Sequence, residues 1–255
     1  MQARSTIQCI ELFHLLFLRA LEVHLDRSAY VVKGGVNLRA WFGSARYSED
    51  LDLDALRLTR NALEDKVDKA LGGRPLGLLL GAQGLELTRI TKPKQTETTQ
   101  RWKLELRARG ADLPFHTRVE FSRRGVTEPH LLEPALAEVV KPYGILAPAA
   151  QHYTAAAAVR QKIGALAGRA EIQARDIWDL EHLFRVASAD ARPLTAALAR
   201  AVPVAIERTF EMPFDAFRAQ VVSFLAPEQQ PLHDDPVAWD RIRERVVAEL
   251  TSLLP

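Results

Sequence analysis

The sequence predicts an α+β fold, with a mixed β-sheet and its helices first and a helical bundle after it. Three observations carry this reading. The first half holds short runs in which apolar and polar residues alternate. Pro142, Gly144 and Pro148 then mark a loop-rich passage where the composition changes. Beyond it the chain is alanine-rich, with apolar residues at helical spacing. Two domains are therefore expected: an α/β lobe with an N-terminal helix over residues 1–148, and a helical lobe over residues 149–255.

The elements follow in order. Residues 5–27 read as a helix, with Ile7, Ile10, Leu15, Leu18 and Leu21 near one face. Tyr30–Lys33 is a short β-prone run ended by Gly34-Gly35, and Val36–Phe42 reads as a helix closed by Gly43-Ser44. Leu51–Asp54 alternates apolar and acidic residues, a strand pattern. Asn61–Leu71 is a helix followed by Gly72-Gly73. Leu85–Thr91, Arg101–Arg109 and Phe115–Ser122 are strands. The last two alternate cleanly, so each should bury one face. Helices are expected at Tyr153–Ala167, Arg175–Ala187, Leu194–Ala201, Phe214–Leu225 and Pro236–Leu253.

Composition narrows the function classes. Nearly half of the 255 residues are hydrophobic, enough for a sizeable core, and the net charge is only +2. Such a balance permits nucleic-acid contact without arguing for it. Cys9 is the only cysteine, which excludes an internal disulfide and a cysteine metal site. Glu11, His14, Arg19, Glu22 and His24 interrupt the apolar N-terminal run and forbid a membrane span there. No cleavable leader is evident, so a cytoplasmic location and no membrane partner are expected. The histidines lack metal spacing. His14 and His24 fall on the first predicted helix, and His152 and His182 on later ones, where packing or surface roles are expected.

The chemistry concentrates in Lys33-Gly34-Gly35 and in Arg46-Tyr47-Ser48-Glu49-Asp50-Leu51-Asp52-Leu53-Asp54. On a strand, residues two apart share a face, so the three aspartates would project together. Carboxylates so close repel one another, and a hard divalent cation such as magnesium relieves the repulsion. An acidic strand face alone is more often only solvated. Here a glycine pair and a helix N-terminus, both able to donate amides to phosphate, lie within the same strand-helix-strand unit. Ser48 adds a hydroxyl beside the first aspartate.

These residues resemble the AbiEii/AbiGii-type toxins, a bacterial branch of the DNA polymerase β-like nucleotidyltransferases. The family pattern is Lys-Gly-Gly, a short helix, then Arg-x-Ser-x-Asp-hydrophobic-Asp. It matches Lys33, Gly34, Gly35, Arg46, Ser48, Asp50 and Asp52. A second block, a lysine on a helix and then Arg-Asp-x-x-Asp-Leu, matches Lys162 and Arg175-Asp176-Ile177-Trp178-Asp179-Leu180. The resemblance covers roughly residues 29–185, and the segment 190–255 matches no motif.

What the resemblance implies is a magnesium-dependent nucleotidyltransferase. It would move a nucleoside monophosphate from a nucleoside triphosphate to an acceptor hydroxyl. RNA, such as the tRNA acceptor end, is the implied acceptor, and a cognate antitoxin the implied partner, in a toxin–antitoxin or phage-defence pair. Asp50, Asp52 and Glu120 would hold the metal, with Glu120 as third ligand or base. Glu105 and Glu86 compete for that place. Lys33, Gly34, Gly35, Arg46 and Ser48 would bind the nucleotide. Lys162 would offset phosphate charge, Asp176 would fix it or bind the sugar, and Asp179 has the same options. A buried salt bridge is the competing role for the second block. Two other functions fit the same residues: an antibiotic-type small-molecule nucleotidyltransferase, and a pseudoenzyme that only binds nucleotide or partner.

Overall fold

The structure is a computed structural model that describes residues 4–111, 113–187 and 191–254. The chain divides into two compact units. One joins the stretch up to Gly43 with Tyr47–Tyr153; the other joins Ser44–Arg46 with everything from Thr154 onward.

The first unit opens with helix α1 (Thr6–Leu21), capped by Ser5 in a reciprocal capping box with Gln8. It ends six residues before the expected position, and His24 lies beyond it. Strand β1 (Tyr30–Lys33) runs straight into helix α2 (Gly34–Phe42), which Gly43 closes in the left-handed conformation. Then come β2 (Asp50–Ala55), α3 (Arg60–Gly72), α4 (Arg74–Ala82), β3 (Leu85–Gln95), β4 (Thr99–Ala108) and β5 (Phe115–Ser122). The unit closes with β6 (His130–Pro134), the single turn α5 (Ala137–Val140) and β7 (Ala149–Tyr153). Helix α4 and strands β6 and β7 carry no alternation long enough to read. His152 therefore lies on a strand, and the division between units falls after Tyr153.

The seven strands form one mixed sheet in the order β3-β4-β5-β2-β1-β7-β6. The central pairs are β1–β2 antiparallel and β2–β5 parallel, in registers that set Asp52 opposite both Lys33 and Glu120. One face is apolar. Leu51 and Leu53 of β2, Val119 and Phe121 of β5, and Trp102, Leu104 and Leu106 of β4 are buried in the same core as α1. The alternation of these strands thus sends their polar residues to the opposite face.

Helix α1 is buried almost all round, including Glu11 and His14. Both polar side chains are satisfied. Glu11 accepts from Arg39 Nε at 2.6 Å and from the Tyr143 hydroxyl. His14 Nε2 lies 2.8 Å from Thr117 Oγ1, and that hydroxyl donates to the Glu49 carbonyl at 2.6 Å. The single hydroxyl proton is thereby used, so Nε2 of His14 carries a hydrogen and donates. This chain pins the residue before Asp50 to the core helix.

The second unit is helical in its described residues: α6 (Ala155–Gly168), α7 (Ala174–Ala187), α8 (Ala196–Glu211), α9 (Phe214–Gln220), α10 (Gln230–His233) and α11 (Pro236–Ser252). Thr154, Thr195 and Asp235 cap α6, α8 and α11 through their side chains. Helix α8 runs ten residues past its expected end and accommodates Pro203. No helix among the described residues is long and apolar enough to cross a membrane.

Burial lowers the His14 pKa from 6.5 to about 3. Above pH 6.5 the ring is neutral in both folded and unfolded chains. Below it the unfolded chain binds a proton that the folded chain refuses, so stability falls with pH. The slope should be on the order of 1 kcal/mol per pH unit between about pH 6 and pH 4. Urea titrations of His14→Gln should show a flatter acid limb than the parent; parallel limbs would rule out this role for His14.

Candidate functional site

The first unit brings most of the sequence-selected residues onto one polar patch. β2 carries Asp50 and Asp52 on the face opposite the core, both partly exposed. The parallel register with β5 sets Arg118 beside Asp50 and Glu120 beside Asp52. Glu120 is thus the acid adjacent to Asp52. Its competitors lie elsewhere: Glu105 is opposite His116 on β4, and Glu86 is opposite Arg107 on edge strand β3.

Two arginines temper the patch. Arg118 reaches Asp50 Oδ2 at 2.9 Å, and Arg101 of β4 reaches Glu120 Oε2 at 2.5 Å. The sequence alternation makes Arg118 visible as a neighbour of Glu120. Arg101 needs the β4–β5 register, in which it stands directly opposite Glu120. Asp54 is different from its two companions. It is buried, and it accepts from Lys33 Nζ at 2.6 Å and from the Tyr153 hydroxyl at 2.6 Å. The third aspartate of the strand therefore anchors Lys33, and through it the start of α2. Tyr153 is not legible in the sequence as part of this group, because its strand is not.

Gly34 brings the backbone close to the Asp52 carboxylate. Its φ is +66°, and a Cβ built there would stand 3.2 Å from Asp52 Oδ2. A side chain at this position would be strained by the conformation and crowded against the Asp52 carboxylate. Lys33, the residue preceding α2, makes no side-chain cap, and the first turn of α2 starts at Gly34 and Gly35, beside Asp52. Ser48 spends its hydroxyl proton on the Asp50 carbonyl at 2.8 Å, fixing the turn into β2. Asp50 and Asp52 offer hard oxygen ligands. Among the described residues no three His, Cys, Asp or Glu side chains converge on a common metal position. The donor set fits magnesium bound through two carboxylates plus phosphate oxygens, not a closed protein cage.

The second unit gathers the other four residues into a buried ion cluster. Arg46 makes a bidentate pair with Asp179, at 3.2 Å to each oxygen. Lys162 Nζ stands 2.5 Å from Asp179 Oδ2 and 2.8 Å from Asp176 Oδ1. Arg169 completes the cluster at 2.7 Å from Asp176 Oδ2. Both aspartates are fully buried. Burial opposes ionisation of Lys162, but Asp176 and Asp179 outweigh it and raise its pKa. For Asp176 burial pulls upward, while Lys162 and Arg169 win and hold the carboxyl below its usual range.

With this geometry in place, comparison with known proteins decides the family. The sequence pattern described as "Nucleotidyl transferase AbiEii toxin, Type IV TA system" matches residues 16–252. The chain belongs to the AbiEii family of nucleotidyltransferase toxins. The match extends past the region of motif resemblance to include α8–α11. Among solved structures, MenT4, a nucleotidyltransferase toxin of Mycobacterium tuberculosis, is similar at a TM-score of 0.59 and 21% identity. The match covers 96% of this chain and 83% of that one. JHP933 from Helicobacter pylori is similar at 0.55 and 20%, covering 95% and 96% of the two chains. At such identities the likeness shows the fold. No curated protein matches by sequence. As an AbiEii nucleotidyltransferase, the protein takes a nucleoside triphosphate as substrate and forms half of a toxin–antitoxin pair.

The ion cluster yields a stability prediction. Asp179→Ala would leave Arg46, Lys162 and Arg169 facing Asp176 alone. Removing one partner of a buried network costs about 3–5 kcal/mol. The Asp176 contribution is present at neutral pH and is lost as pH falls through its lowered pKa. The Lys162 contribution is complete below pH 10.5, its ordinary value, and is lost as pH rises through the raised one. Chemical denaturation at neutral pH should show the loss; a change below about 1 kcal/mol would mean that the cluster does not hold the unit together.

Proposed function

We propose that the protein transfers a nucleoside monophosphate from a nucleoside triphosphate to a hydroxyl of RNA, with Asp50 and Asp52 holding magnesium. The observation that carries the proposal is the approach of Gly34 to Asp52. It puts first-turn helix amides, which bind phosphate, beside carboxylates that bind a divalent cation.

The roles follow from position. The amides of Gly34 and Gly35 receive the β- and γ-phosphate oxygens. Lys33 keeps α2 in place through Asp54 and adds positive charge. Ser48 fixes the strand entry that aims Asp50. Bound magnesium would supply charge neutralisation of the triphosphate and orientation of its α-phosphate. The acceptor oxygen forms a bond to the α-phosphorus, the bond to the bridging oxygen breaks, and pyrophosphate leaves with that oxygen. The acceptor proton passes to Glu120, whose carboxylate Arg101 orients. Arg46 and Lys162 are assigned to offset phosphate charge, with Asp176 and Asp179 fixing them. RNA as acceptor, the tRNA end in particular, and an antitoxin encoded alongside come from the family resemblance. A cytoplasmic setting follows from such an acceptor.

The test uses each labelled nucleoside triphosphate in turn, with magnesium and total cellular RNA. One nucleotide should label RNA, and Asp50→Asn or Asp52→Asn should lower the rate by about a hundredfold or more with the melting temperature unchanged. Labelling that survives Asp52→Asn would overturn the metal assignment. Lys162→Ala, measured with a matched melt, separates a lost charge from a lost fold: slower turnover in an intact protein supports the assigned role.

A further inference from the structure

The polar face of the sheet does not stop at the acids. It continues across β5 and β4 to the edge strand β3, and its excess charge there is positive. From Asp50 the registered neighbours run Arg118 on β5, Lys103 on β4 and Thr91 on β3. From Asp52 the parallel row runs Glu120, Arg101 and Lys94. Two register shifts in β3 matter. One follows Leu87 and brings Arg89 opposite Glu105; the other follows Thr91 and brings Lys94 opposite Arg101. The first shift moves Arg89 onto the polar face, where strict alternation from Leu87 would have turned it inward, and the second keeps Lys94 on that face after Thr91. Lys92, by contrast, bonds Glu64 and Asp68 of α3 on the helix side.

Asp50, Glu120 and Glu105 are answered locally. Arg118 sits on Asp50, Arg101 sits on Glu120, and Glu105 accepts from Thr88 and faces His116 at 3.6 Å. Arg89, Lys94 and Lys103 are exposed and make no ion pair among the described residues. Beside them the face is concave. A hollow of about 500 Å³ is lined by the cations Arg89, Lys103 and Arg118 and by the acids Glu49, Asp50 and Glu105, so its floor is continuous with the transfer site.

We propose that this face is the track on which the acceptor strand lies, its phosphodiester backbone held by Arg89, Lys94 and Lys103. The inference rests on the reading of Asp50 and Asp52 as the transfer site, and it adds where the acceptor runs. Neighbouring strands are about 4.8 Å apart, so Lys103 stands roughly 10 Å and the β3 cations roughly 14 Å from the β2 column. Charge spread over that length suits a polyanion with regularly repeated phosphates. A nucleoside triphosphate carries its charge in one short tail and has its donors at Gly34 and Gly35. A small-molecule acceptor would have no use for the outer columns. The contacts are to backbone, so the track reads shape and charge and leaves base sequence unread.

The test measures binding without transfer, on the full chain, with a short labelled single-stranded RNA and no nucleoside triphosphate. The variant Arg89→Glu/Lys94→Glu/Lys103→Glu is compared with Lys141→Glu/Arg200→Glu/Arg241→Glu, which changes the same charge at exposed positions off the face. The first should bind RNA more weakly than the parent by about tenfold or more. Its slope of log affinity against log salt should be smaller by about 2, roughly 0.7 for each phosphate left without its cation. The second should stay within about threefold of the parent. Magnesium-dependent nucleotide binding, read by calorimetry, should be the same in all three. Equal RNA binding by the two variants overturns the track. So does polyglutamate competing as well as RNA, which would make the face a site for an acidic protein. A parent that binds RNA through this face but labels none would leave the track standing and refute the transfer reading.

Discussion

Two carboxylates held on one face of a strand whose other face is wholly buried set the terms for the rest of the molecule. Asp50 and Asp52 cannot turn away, because Leu51 and Leu53 are locked in the core. Their mutual repulsion must be met from outside the strand. The fold meets it with Arg118 on Asp50, and it brings the start of α2 against Asp52 through a glycine at which a side chain would be strained and crowded. His14 and Thr117 hold the strand entry from beneath, and Lys33 with Tyr153 hold Asp54 at its far end. The acidic patch is thus held in place by packing and hydrogen bonds within the protein.

Much of this is legible in the amino-acid sequence. The alternation in β2, β4 and β5 yields both the sheet and the burial of one face, because a period of two leaves no choice of side. Lys33-Gly34-Gly35 and Asp50-Leu51-Asp52 are legible because chemistry fixes both residue type and spacing. What stays hidden depends on register or on tertiary context. Arg101 becomes a partner of Glu120 only when β4 is slid against β5. Strand β7 is five residues long and follows a proline-rich loop, so its tyrosine and histidine read as the start of a helix. Helix α4, with glycines at 77 and 81, has low intrinsic propensity and forms against the core through Leu76 and Leu80. Asp54 resembles a third metal ligand by spacing, and burial turns it into an anchor for Lys33.

The two sets of motif residues differ in how their charges are used. On the sheet face, the cations beyond Arg118 and Arg101 are exposed and uncommitted, as a binding surface requires. In the second unit, Arg46, Lys162, Asp176 and Asp179 neutralise one another out of water, and each has its geometry fixed by at least one of the others. Net stabilisation by such a buried network is small, yet breaking it is costly. The Arg-Asp-x-x-Asp-Leu block therefore carries a structural constraint whatever further part Lys162 plays in turnover.

The most direct test of the central claim is calorimetry of nucleoside triphosphate binding with and without magnesium, on the parent chain and on Asp52→Ala. The account predicts binding that depends on magnesium in the parent and loses that dependence in the variant, with the melting temperature preserved. Equal magnesium-dependent binding by both proteins would contradict it.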